Sequence, residues 1–156
     1  MTVESAETED AEDAGYLIAT AAWPGDEASI RAIRTAVFVR EQGIDADLEW
    51  DGKDGDCVHL LAYDMDGNAI ATARMQADGH IGRMAVLPDW RGRGVGSALL
   101  MMLIDRAAAH DLDEVYLSAQ TSAASFYHLH GFIASSEEFT AAGIPHIYMK
   151  RFTTDP

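Results

Sequence analysis

Leu87-Pro88-Asp89-Trp90-Arg91-Gly92-Arg93-Gly94-Val95-Gly96-Ser97 decides the reading of this chain. The run from His80 to Val86 before it reads as a strand, and Ala98 to about Ala109 after it reads as a helix. Three glycines in five positions let the backbone turn tightly and come close to a ligand. A helix start offers unpaired N–H groups and the positive end of the helix dipole. Arg91 and Arg93 add fork-shaped donors. A surface turn also uses glycines, but strand, loop and apolar helix fit together here as a phosphate-binding unit. The Gly-Lys-Ser/Thr ending of a P-loop is absent, and Ser97 stands where a dinucleotide loop needs its third glycine.

The helix after the loop carries Leu99, Leu100, Met102, Leu103 and Ile104, so it is apolar on most sides and belongs between layers. Upstream, Gly15–Ala21 reads as a strand. Pro24-Gly25-Asp26 breaks it, with Asp26 as a helix cap. The helix runs to about Val39, with Ile30, Ile33 and Val37 on one face. Residues 45–56 read as a polar, acidic loop. Residues 58–63 and 69–76 read as strands joined by a hairpin turn at Met65-Asp66-Gly67-Asn68. Downstream come a strand at 114–119, a short helix at 122–130 ended by Gly131, and strands at 132–139 and 146–152. The order β-α-β-β-β-α-β-α-β-β predicts a mixed sheet with helices on both faces.

A length of 156 residues fits a single domain at 15–156, preceded by an arm at 1–14. That arm holds six acidic residues and no base, which reads as disordered. Overall, 11 basic residues against 26 acidic ones give a charge of −15, which argues against nucleic acid or an anionic membrane as partner. Only Lys53 and Lys150 are lysines. A high-salt habitat and drift in a GC-rich genome both explain that balance. One cysteine, Cys57, leaves no internal disulfide, and no apolar run spans a bilayer, so a cytoplasmic location is expected. Cys57 reads as a small buried hydrophobe, and the histidines show no metal-ligand spacing, so no metal is expected.

The Arg-x-x-Gly-x-Gly pattern after a strand resembles the pyrophosphate loop of the GNAT superfamily of acyl-CoA-dependent N-acyltransferases. Arg83–Arg91 resembles that family's central strand and its lead into the loop. Ala123–Phe132 matches its A-x-x-x-Y-x-x-x-G-F signature. The segments Val37–Ile44 and Ala142–Met149 look like the YjcF/ElaA-like branch.

The resemblance implies an α+β fold with a central mixed, mostly antiparallel sheet and helices on both faces, acetyl-CoA as co-substrate, and a small-molecule or peptide amine as acceptor. The backbone of Met84, Ala85 and Val86 would meet the pantetheine arm. Arg91, Gly92, Arg93, Gly94, Val95, Gly96 and Ser97 would hold the pyrophosphate. Phe126 and Gln120 would complete the cofactor site, with Gln120 standing where many members carry Asn. Tyr127 matches the general acid that protonates the departing thiolate. Its alternative reading is a core residue beside Phe126. For the general base, Glu41 is the first choice among Glu41, Glu49, Asp51, His59 and His146. The acidic residues could instead attract a cationic amine. Trp50 reads equally as pocket lining, lid or packing. A CoA-binding regulatory module without turnover is the alternative function, and a homodimer is compatible with related folds.

Overall fold

The computed structural model describes residues 15–154, so the acidic arm lies outside the described residues. Strand β1 is Tyr16–Ala21, β2 Val58–Asp64, β3 Ala69–Met75 and β4 Ile81–Val86. They form one antiparallel sheet in the order β1-β2-β3-β4. A second antiparallel sheet holds β5 (Glu114–Gln120), β8 (Ile144–Phe152) and β6 (Ile133–Ala134) in that order, with β7 (Phe139–Ala141) also paired to β8. Helix α1 is Glu27–Arg34, continued by a π-helical segment Thr35–Glu41. Helix α2 is Ala46–Glu49, α3 is Val95–Ala109 and α4 is Ala124–Leu129.

Strand alternation separates two cores. Leu60 and Ala62 on β2 face the larger cluster around α3, which includes Leu99, Leu100 and Leu103. Leu61 between them faces Ile30, Ile33, Val37 and Phe38 on the other side. Helices therefore cover both faces of the first sheet, as the pattern predicted. Helix α3 has buried residues around most of its circumference because it also meets β5.

The two sheets meet at one place among the described residues. His80 and Tyr116 form an isolated parallel bridge, and their rings stack with centroids 4.5 Å apart. Gly79 sits at this joint with φ +94°, where an added Cβ would stand 2.8 Å from the Glu114 carbonyl. Beyond the bridge β4 and β5 diverge and leave a wedge between the sheets. The mixed character of the sheet rests on this one parallel contact.

Several sequence expectations shift. Helix α3 starts at Val95, three residues before Ala98, because Gly94 supplies the left-handed turn that precedes it. Asp26 makes no side-chain cap; its Oδ2 accepts from the Ala22 N–H at 2.7 Å, closing the preceding turn instead. The strand expected at 132–139 is interrupted. Pairing stops after Ala134 and resumes at Phe139, so β8 takes two short partners rather than one long one. Cys57 is only half-buried, with Sγ donating to the Lys53 carbonyl at 3.2 Å.

The acidic loop is the largest departure. Residues 45–56 contain α2 and a short 3-10 turn, Asp54–Asp56. Their carboxylates interlock with three arginines. Arg34 bonds Glu49 at 2.7 Å and Asp54 at 2.7 Å, and Arg74 reaches Asp51 at 2.5 Å and Asp54 at 2.9 Å. Arg83 lies 3.2 Å from both Glu49 and Asp51. Trp50 is packed against the guanidinium groups of Arg31 and Arg34, at 4.4 and 4.7 Å. Three acids meet three bases, so these carboxylates are a locked structural cluster rather than a solvated patch.

Candidate active site

The site begins at an irregularity in β4. Thr72 pairs with Ala85 and Arg74 with Gly82, so Ala73 alone opposes both Arg83 and Met84. Arg83 takes φ +48°, a left-handed value uncommon for a residue with a side chain. Such a bulge bends the strand and re-aims the residues after it. The Leu87 N–H bonds the Ile70 carbonyl at 2.9 Å, on the β3 side. By alternation, the backbone polar groups of Met84 and Val86 face the other edge, into the wedge. No strand of the described residues pairs with that edge beyond the bridge at His80.

The loop after β4 lies at one end of this edge. Gly92 and Gly94 both have positive φ, +75° and +84°. Gly94 gives α3 no side-chain cap, and the first helical bond of its ladder is Ala98 N–H to Gly94 C=O. The N–H groups of Val95, Gly96 and Ser97 thus start the helix with no intrahelical acceptor. An added Cβ at Gly96 would touch Phe126 at 3.6 Å and Val86 at 3.9 Å, so α4 packs directly over the helix start. Ser97 Oγ lies 2.9 Å from His130 Nε2 at the end of α4. Arg93 is laid over the Trp90 ring at 4.6 Å. Arg91 donates through Nε to the Val86 carbonyl at 2.9 Å. These donors, gathered beside open space at Gly92 and Gly94, suit a pyrophosphate.

A cleft of about 450 Å³ fills the wedge. Gly82, Arg83 and Met84 form one wall, and Leu117, Ser118 and Gln120 the other. Phe38, Ile44 and Leu48 line the end toward α1 and α2, and Tyr127 and His146 also face into it. The Gln120 amide donates to Gln42 Oε1 at 2.8 Å and ties the end of β5 to the segment after α1. Tyr127 packs edge-on against Phe126 and Phe132, at 5.1 and 5.9 Å. Burial pushes its phenol up to about 12. Its hydroxyl makes no hydrogen bond among the described residues.

The structure brings together Met84, Gln120 and Tyr127 around the cleft, with the loop 91–97 and Phe126 beside it. Glu41, the first choice for base, does not line the cleft. Arg91 grips both its oxygens, at 2.7 Å each, and holds its carboxyl below the usual range. Asp51 is held by Arg74 and Arg83, which overcome desolvation and keep it far below the usual carboxylate range. His59 is fully buried, stacked on Trp23 at 5.0 Å with Nε2 at 2.9 Å from the Asp54 carbonyl; burial pushes its pKa down. Sequence reasoning missed Phe38, Gln42, Leu48 and Ser118 as lining residues. Their common place depends on the wedge, for which no local motif exists. Arg83 also lines it, at a bulge that needs no signature residue. Among the described residues no group of side chains could hold a metal, and no helix is long and apolar enough to cross a membrane.

Residues 34–152 match the family model described as an acetyltransferase (GNAT) domain. YjcF of Bacillus subtilis, described as an uncharacterized N-acetyltransferase, is 35% identical over 122 residues, covering 76% of this chain and 87% of that protein. Protein ElaA of Escherichia coli is 37% identical over 127 residues, covering 76% and 82%. The crystal structure of an acyl-CoA N-acyltransferase from Pseudomonas aeruginosa superposes with a TM-score of 0.76 at 33% identity, covering 87% of this chain and 97% of that one.

Proposed function

The chain belongs to the GNAT family of acyl-CoA N-acyltransferases, and from that premise we propose that it moves an acetyl group from acetyl-CoA to a primary amine. The two substrates meet in a ternary complex and the amine attacks directly. The observation that carries this reading is the unpaired edge of β4 running into an uncapped, glycine-turned helix start. The edge suits the amide-bearing pantetheine arm. The loop Arg91–Ser97 suits the pyrophosphate, with Gln120 and Phe126 beside them.

Within this arrangement the thioester carbonyl lies in the wedge. The outward N–H of Met84 or Val86 stabilises the oxyanion as the amine adds. The carbon–sulfur bond then breaks and the electron pair goes to sulfur. Tyr127 donates its phenolic proton to that thiolate. Burial raises its pKa, so the hydroxyl carries its proton at neutral pH. Glu41 serves the cofactor loop by holding Arg91. The acceptor enters past Phe38, Ile44 and Leu48, an apolar wall that suits an amine with a hydrocarbon body.

Thermal unfolding with acetyl-CoA, followed by thiol release with an amine panel, tests this reading. Ligand at about 100 times its dissociation constant adds roughly 2.7 kcal/mol of stability. A shift with thiol release supports it. A shift without release for any amine favours the regulatory CoA-binding module, and no shift overturns acyl-CoA binding.

A further inference from the structure

We propose that His146 is the catalytic base that takes the proton from the acceptor amine. The inference rests on the acyl-transfer reading above. Five groups compete for this task, and the structure removes four. Glu41 is outside the cleft and bound twice by Arg91. Asp51 does not line the cleft and is bound twice by Arg74. His59 lies in the core beneath Trp23. Glu49 does line the cleft, but its Oε2 sits 2.7 Å from Arg34 and 3.2 Å from Arg83. Protonating it would uncouple two guanidinium groups in a buried cluster, a change of the kind that is strongly destabilising.

His146 has none of these obligations. It is half-buried at the start of β8 and faces the cleft. It pairs across the sheet with Gln120, at the end of β5 from which the chain turns into the Tyr127 helix. Nδ1 lies 2.7 Å from the Ile144 carbonyl. A carbonyl only accepts, so Nδ1 carries the hydrogen and Nε2 keeps a free lone pair. Phe139 stacks on the ring at 5.9 Å and fixes its plane. No carboxylate or guanidinium of the described residues bonds the ring. The imidazole is thus held in the tautomer that accepts a proton at Nε2, on a cleft wall shared with Tyr127.

The step balances without an outside reagent. An ammonium N–H proton passes to Nε2, directly or through one water. The freed nitrogen lone pair forms the bond to the acyl carbon. The carbon–sulfur pair leaves on sulfur, and Tyr127 supplies its proton. The acylated nitrogen loses its second proton to solvent, giving the neutral amide, the imidazolium returns a proton to the phenolate through solvent, and both residues are reset.

Phenethylamine and its difluorinated analogue, with fluorine beside the amine-bearing carbon, provide the test. They have nearly the same size, but at neutral pH the first is mostly protonated and the second mostly neutral. His146→Gln should lower kcat about 100-fold with phenethylamine and only a few-fold with the fluorinated amine, because general base catalysis contributes about that much. Added imidazole should restore part of the activity of His146→Ala. The acetyl-CoA thermal shift should stay unchanged in both variants. Equal losses on the two amines, or an unchanged kcat, overturn the role of His146 while leaving acyl transfer standing. Wild-type protein that releases thiol with neither of these amines nor any other of the panel overturns the transfer reading and the base with it.

Discussion

Arg91 and Glu41 form a two-toothed ion pair across 50 residues of chain, Nη1 to Oε2 and Nη2 to Oε1, both at 2.7 Å. The pair joins the loop before α3 to the end of the π-helical segment after α1. It therefore links two elements beside the cleft that lie 50 residues apart in sequence. Both side chains are about two-fifths exposed, so the pair contributes little to stability. Its value lies in orienting Arg91 beside the Val86 carbonyl. Glu41→Gln should raise the KM for acetyl-CoA several-fold and leave kcat within about threefold. Steady-state kinetics with acetyl-CoA varied checks this; a kcat loss near 100-fold would return Glu41 to the chemistry.

Tyr127→Phe should cut kcat by about 100-fold or more, the ordinary worth of a positioned proton donor. The hydroxyl has no partner among the described residues, and its ring packing on Phe126 and Phe132 survives the change. The melting temperature should therefore stay within a degree or two of wild type. Because the phenol sits near 12, the wild-type enzyme should show no loss of kcat from its ionisation up to about pH 10. A pH–rate profile and a melting curve check both statements.

Two glycines of one loop should respond differently. Gly94 sits at φ +84° with nothing within 4 Å of an added Cβ, so Gly94→Ala carries only the left-handed backbone penalty, about 1–2 kcal/mol. Gly96 lies inside the helix with normal φ and ordinary contact distances to Phe126 and Val86. Gly96→Ala should be neutral or slightly stabilising, because alanine is the better helix former. Urea midpoints of the two variants give the comparison.

Asp54 accepts from both Arg34 and Arg74 in a buried setting. Asp54→Asn should cost about 3–5 kcal/mol, since it leaves two guanidinium groups undercompensated. The pH dependence has a definite sign. Arginine partners hold Asp51 and Asp54 below their ordinary values in the folded state. Their contribution is complete above the ordinary carboxylate range, near pH 4, and is lost as pH falls through the lower folded values. Melting temperature should fall on acidification below about pH 4, and the fall should be shallower in Asp54→Asn. Equal slopes would mean that other carboxylates dominate acid unfolding.

Much of the fold is legible in local signals. Period-3.6 apolar spacing marks α1, a nearly all-round apolar run marks α3, and Ile30, Ile33 and Val37 are buried together as that spacing requires. The glycine run and the Tyr127 segment stand out because turns and helix ends demand particular residues at fixed offsets. Residues 45–56 read only as a polar, acidic loop because a carboxylate looks the same in sequence whether water or arginine meets it. Arg34, Arg74 and Arg83 arrive from α1, β3 and β4, and nothing local marks them as partners.

By itself the sequence determined the order of the main elements, the family, and the glycine loop and tyrosine helix that mark it, because each depends on short-range spacing. Only the tertiary structure decided that Glu41 belongs to Arg91, that Asp51 and Asp54 belong to the arginine cluster, and that His146 lines the cleft with Nδ1 on the Ile144 carbonyl. The wedge itself was invisible in sequence. It exists because β4 and β5 share a single bridge and then part, and that divergence is set by packing on α3 rather than by any residue pattern.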